Sequence, residues 1–144
     1  MKHIKAKEPM GKAAVLNKLL WAAGAAGALM VCFILCRHIF YELHVNRQWP
    51  LAMLLLGLVV ILIAAVPGAK KMMVCTVAGY LTGFIAGIAF NVEYDVIIDS
   101  IVVEQRYTAW HIWTVVFITI IIAGAIWDVL SRNKTKKTDA VHSA

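Results

Sequence analysis

The sequence predicts an all-α integral membrane protein, a four-transmembrane-helix bundle, N-in/C-in, with a short outer segment between helices three and four. Composition points there first: hydrophobic residues make up 62% of the chain against 15% charged, with a mean hydropathy of +0.79, more apolar surface than a soluble domain of this size can bury. The second observation is that residues 19–36, 50–69, 72–92 and 107–127 contain no Lys, Arg, Asp or Glu. Each run approaches the ~20 residues that cross a hydrocarbon core as a helix, the form in which a segment satisfies its own backbone in lipid. Lys and Arg placement is the third. Lys2, Lys5, Lys7, Lys12 and Lys18, Lys70 and Lys71, and Arg132, Lys134, Lys136 and Lys137 fall on one side, leaving Arg37, Arg47 and Arg106 on the other. Eleven basic against three acidic residues leave the first side at +8, and three against five leave the second at −2, together the chain's +6. Positive flanks stay in the cytoplasm, so both ends are expected inside.

Residues 1–18 read as a basic cytoplasmic leader, and 19–131 as the transmembrane domain. A basic lead into an apolar run also resembles a secretory signal. Phe33-Ile34-Leu35-Cys36, however, places bulky residues where cleavage needs small ones, so helix one is expected to stay as an anchor. Pro67-Gly68 with Lys70-Lys71 closes an inner turn short enough to make helices two and three antiparallel neighbours. The outer segment 93–106 is β-branched: Val96-Ile97-Ile98 and Ile101-Val102-Val103 flank Asp99-Ser100. A hairpin fits that pattern, and so does a helix with Ile97, Ile98, Ile101 and Val102 on one face. Residues 132–144 are a basic tail expected to be disordered.

Aromatic residues support the same frame. Trp21 and Trp127 fall at the inner ends, and Trp49, Trp110 and Trp113 with Tyr41, Tyr94 and Tyr107 at the outer ends, as interfacial belts do. The basic balance is therefore a topology signal and not a nucleic-acid footprint, and the tail 132–137 is a flank that meets anionic lipid.

The clearest motif is Gly79, Gly83 and Gly87, a glycine zipper at helical spacing continued by Cys75. Residues four apart share a face, so another backbone can approach closely there. Helix one offers a match around Gly24 and Gly27 in its run of Ala and Gly. The expected seam is intramolecular packing of helices one and three, or docking of a second copy or a membrane-protein partner. Cys32, Cys36 and Cys75 read as buried structural thiols, because a membrane thickness separates Cys36 from Cys75. On the outer side, His38, Glu42, His44, Asp95, Asp99, Glu104 and His111 form a candidate ligand site. Their spacing fixes no metal geometry, and neither a metal nor another cofactor is expected.

The spans carry no ionisable residue of the kind transporters and pumps keep at mid-membrane. Their interior polar groups are Thr76, Tyr80, Thr82, Thr114, Thr119 and, near the outer edge, Asn91. Small multidrug exporters share the size and span count but depend on a carboxylate in the first helix, absent here. No catalytic constellation is identifiable.

Ala78-Gly79-Tyr80-Leu81-Thr82-Gly83-Phe84-Ile85-Ala86-Gly87-Ile88-Ala89-Phe90-Asn91, followed by Trp110-His111-Ile112-Trp113-Thr114, resembles small four-span bacterial membrane proteins of uncharacterised function. The resemblance covers roughly the second half of the chain. It departs at Val96 through Val103, where that pattern has Gly and Pro. It implies a bacterial inner-membrane location and no particular activity. The expected role is a non-enzymatic accessory or regulatory subunit of a membrane complex, with the lipid bilayer and a membrane-protein partner or a second copy as its contacts. Two other classes stand beside it. One is a small homo-oligomeric transporter or channel for an apolar or amphipathic solute. The other is an immunity or resistance protein against a membrane-active peptide, captured by Asp95, Asp99 and Glu104.

Overall fold

The computed structural model describes residues 11–42, 48–98 and 101–142. The elements run α1 (Lys12–Glu42), α2 (Trp49–Ala65), α3 (Lys70–Ala89), β1 (Glu93–Ile98), β2 (Ile101–Tyr107) and α4 (Ala109–His142). Three helices are long and apolar enough to cross a membrane, within Lys12–Ile39, Lys70–Ala89 and Ala109–Asn133. The fourth, α2, is the most apolar of the four but has 17 residues, or about 26 Å at ~1.5 Å per residue. The expected run 50–69 therefore overstates it, because its last residues form the turn into α3.

That turn follows from Pro67-Gly68. Gly68 has φ +72°, its N–H bonds the Ala65 carbonyl at 3.1 Å, and the Ala69 N–H reaches back to the Ala64 carbonyl at 2.8 Å. This pair of bonds is the Schellman cap, which needs a left-handed residue that glycine adopts without a side-chain clash. Lys18 of α1 donates from Nζ to the Val66 carbonyl at 3.0 Å, placing a cation at the negative end of α2. Gly68→Ala is expected to cost about 1–2 kcal/mol, read from unfolding of the purified protein in detergent.

At the other end of the molecule α3 gives way to the hairpin, so the β-branched outer segment is a ribbon and not a helix. β1 and β2 pair antiparallel from Glu93 opposite Tyr107 to Ile98 opposite Ile101. Val96 pairs with Glu104 and Ile97 with Val102, so Val103 is the extra residue of a bulge. The ribbon's base is clipped by side chains. Asn91 Oδ1 accepts from the Ala109 N–H at 3.1 Å and so caps the start of α4, and the Val92 N–H donates to Thr108 Oγ1 at 2.8 Å.

Two helices outrun their charge-free cores. α1 extends through Lys12 and Lys18 at one end and Arg37 and His38 at the other. α4 continues through the basic stretch to His142, where the sequence reading expected a disordered tail. The reason is shared: neither extension contains Pro or Gly, and Lys, Arg and Ala propagate a helix once it is nucleated.

Candidate functional site

The glycine face of α3 receives α4. A Cβ placed on Gly79 would lie 3.2 Å from Phe117 Cδ2, on Gly83 2.9 Å from the Trp113 carbonyl oxygen, and on Gly87 2.7 Å from the Ala109 carbonyl oxygen. Towards the Lys70 end the roles reverse: a Cβ on Gly124 of α4 would meet Cys75 Sγ at 2.9 Å. Side chains and backbone of α4 thus occupy the space that the α3 glycines leave, and Cys75 occupies the space left by Gly124, the close approach that small residues permit. The expected partner, helix one, is not the one used. Gly24 and Gly27 meet nothing within 4 Å of an added Cβ. The physical reason is that two empty faces cannot fill each other.

The seam leads into an aromatic core. Trp113, Tyr80 and Phe117 are 0% exposed, as is Leu29, whose Cδ2 lies 2.7 Å from a Cβ placed on Gly57. Tyr80 meets Trp113 edge-on at 5.1 Å between centroids and 79° between planes, and Phe117 at 5.9 Å and 88°. Phe84 closes on Trp113 at 5.5 Å. The polar atoms of these rings are matched: Trp113 Nε1 donates to the Tyr80 carbonyl at 3.0 Å, and the Tyr80 hydroxyl donates to the Pro50 carbonyl at 3.0 Å. Trp113 is therefore a core residue and not part of the outer belt to which its position assigned it. Among the described residues, Thr76 is the one polar non-aromatic side chain in the buried set, and its hydroxyl bonds the Met72 carbonyl at 2.8 Å. Cys32 and Cys36 are buried and Cys75 half-buried, all three as free thiols.

The described outer candidates fall on α1, the hairpin and α4. His38 and His111 are exposed. Asp95 pairs in register with Gln105, and Glu104 with Val96. Glu42 is the last residue of α1, and His44 and Asp99 lie outside the described residues. No group of three or more His, Cys, Asp or Glu among the described residues is placed to hold a metal ion. Trp49 and Trp110 meet at this end, 4.7 Å apart with 60° between planes.

At the opposite end a cluster forms whose members the sequence displays but whose pairing it does not. Lys70 and Lys71 open α3. The ammonium of Lys70 sits 4.7 Å over the Trp21 ring of α1, and that of Lys71 sits 4.8 Å over the Trp127 ring of α4. Both are cation–π distances. Lys71 also donates to Ser131 Oγ, and Arg132 bonds Asp128 at 3.3 Å. Trp21, Lys70, Lys71 and Trp127 line a pocket of about 240 Å³ between α1, α3 and α4, with Val74 and Cys75. It adjoins a groove of about 640 Å³ between α1 and α3, lined by apolar side chains and Asn17. The sequence signal was the coincidence of basic residues with interfacial tryptophans; which lysine meets which ring depends on the packing of three helices.

No protein-family model matches the chain, and no curated protein or solved structure shows significant similarity to it.

Proposed function

We propose that the chain is a small non-enzymatic integral membrane protein that crosses the bilayer four times, both termini cytoplasmic, as an accessory or regulatory subunit of a membrane complex. α2 joins the three longer helices as a span, since its 17 residues reach the lower end of the ~17–25 that suffice with local thinning or tilt. The observation that carries the functional reading is the filled, uncharged interior. Trp113, Tyr80, Phe117 and Leu29, fully buried at the centre of the bundle, occupy the space that a solute path through one chain would need. A protein built this way acts through its surfaces. On α1, Gly27 lies open and offers a partner transmembrane helix the close backbone approach that small residues permit.

Purification of the tagged full chain in mild detergent, followed by mass spectrometry, is expected to recover a specific membrane protein in stoichiometric amount. Gly27→Leu is expected to release that partner without unfolding the chain. Recovery of a lone monomer would sink the reading. Solute flux into liposomes holding the chain alone would favour the transporter class instead.

A further inference from the structure

We propose that the Lys70 end of the bundle is a binding site for an anionic phospholipid, with the phosphate held between Trp21, Lys70, Lys71 and Trp127 and an acyl chain lying in the groove between α1 and α3. The two cavities supply the two halves of such a ligand. The pocket of about 240 Å³ is walled by both lysines and both tryptophans. The groove of about 640 Å³ is walled by Leu20, Gly24 and Ala28 of α1 and by Val74 and Val77 of α3, a volume within the ~300–1,000 Å³ typical of ligand sites. Trp21 and Val74 line both, so headgroup space and chain space are continuous.

Charge selects the headgroup. Lys70 and Lys71 both line the smaller pocket, and each ammonium sits over an indole from a different neighbouring helix. Asp128, the acid nearest in the chain to Trp127, is already bonded to Arg132 at 3.3 Å. The first turn of α3 carries no acidic residue, and its N-cap makes no side-chain hydrogen bond, so the positive end of the helix adds to the lysines. Basic pockets between transmembrane helices at the cytoplasmic side hold anionic headgroups, and on the orientation proposed above this is that side. Tryptophan rings favour the same depth. A free phosphate would leave the apolar groove empty, so the groove favours a ligand that carries an acyl chain.

The test is native mass spectrometry of the full chain released from vesicles of phosphatidylcholine and phosphatidylglycerol in equal parts. Phosphatidylglycerol is expected to stay bound in preference to phosphatidylcholine. Lys70→Ala combined with Lys71→Ala should weaken retention roughly 30-fold, from about fivefold per lysine near an anionic surface. Lys70→Arg with Lys71→Arg should keep it, as should Arg37→Ala, an exposed cation at the far end of α1. Ala28→Phe fills the groove without touching the charges and should also release the lipid, with circular dichroism checking that each variant remains folded. Equal retention of the two lipids, or equal loss in Arg37→Ala, overturns the proposal. So does a second copy of the chain in place of lipid, or retention of inorganic phosphate with the same lysine dependence and no response to Ala28→Phe.

Discussion

Gly83→Ala is expected to destabilise the protein by about 3 kcal/mol, the upper part of the ~1–3 kcal/mol range for overpacking, although it adds a single methyl. The added carbon would lie 2.9 Å from the Trp113 carbonyl oxygen and 3.1 Å from its Nε1. A carbonyl is backbone, so relief requires moving α4 away from α3 and not merely turning a side chain. That movement also weakens the bond from Trp113 Nε1 to the Tyr80 carbonyl, now 3.0 Å. Gly27→Ala provides the control with the opposite sign. Nothing lies within 4 Å of its added Cβ, so the gain in helix propensity, roughly 0.5–1 kcal/mol, stands alone. Unfolding of the purified chain in detergent, followed by circular dichroism, measures both. Equal responses at the two glycines would mean that α3 and α4 do not meet at Gly83.

The same contrast shows what the sequence could reveal. Glycines at positions 79, 83 and 87 announce a close approach, because no other residue leaves a groove along one helix face. They do not announce the partner. By composition the Ala and Gly run around Gly24 and Gly27 is the best match to a small-residue face, yet a groove is filled by a ridge. α4 supplies one in Trp113 and Phe117, whose rings enter the space opposite Gly83 and Gly79. Where Gly24 and Ala28 of α1 face Val74 and Val77 of α3, the result is the groove of about 640 Å³, as expected where the α1 side has little bulk to fill it. Helix ends were less legible than the helices themselves, and the charge-free run 50–69 passes the end of α2. Pro67-Gly68 stopped α2 at Ala65, whereas the charges that bounded residues 19–36 and 107–127 stopped neither α1 nor α4, since charge limits the depth of a helix in lipid and not its length. The hairpin was half legible: β-branched runs favour strands, but a short amphipathic segment supports either period until pairing selects one. The Lys70 and Lys71 cluster escaped because adjacent basic residues already had a sufficient account as a topology flank.

Trp113→Ala is expected to be the most damaging of the aromatic substitutions, at about 3–5 kcal/mol. The indole is 0% exposed and touches both rings that fix α3 against α4, Tyr80 at 5.1 Å and Phe84 at 5.5 Å between centroids. Truncation leaves a void bordered by Gly83, which has no side chain to move into it, so relaxation is limited and the cavity term stays large. Trp113→Phe separates packing from hydrogen bonding. It keeps a ring but deletes the donor to the Tyr80 carbonyl, a loss of about 0.6–1.7 kcal/mol for an interhelical bond in a membrane protein. Tyr80→Phe removes the hydroxyl that bonds Pro50 at 3.0 Å and so loosens α2 instead of α4. Because the two rings touch, Trp113→Phe and Tyr80→Phe combined should depart from additivity by about 0.5 kcal/mol or more, as residues in contact do. Additive losses would mean that the rings are held independently by their own helices. A coupled loss would mean that Tyr80 transmits the α3 and α4 seam to α2, binding the shortest helix to the closest-packed pair.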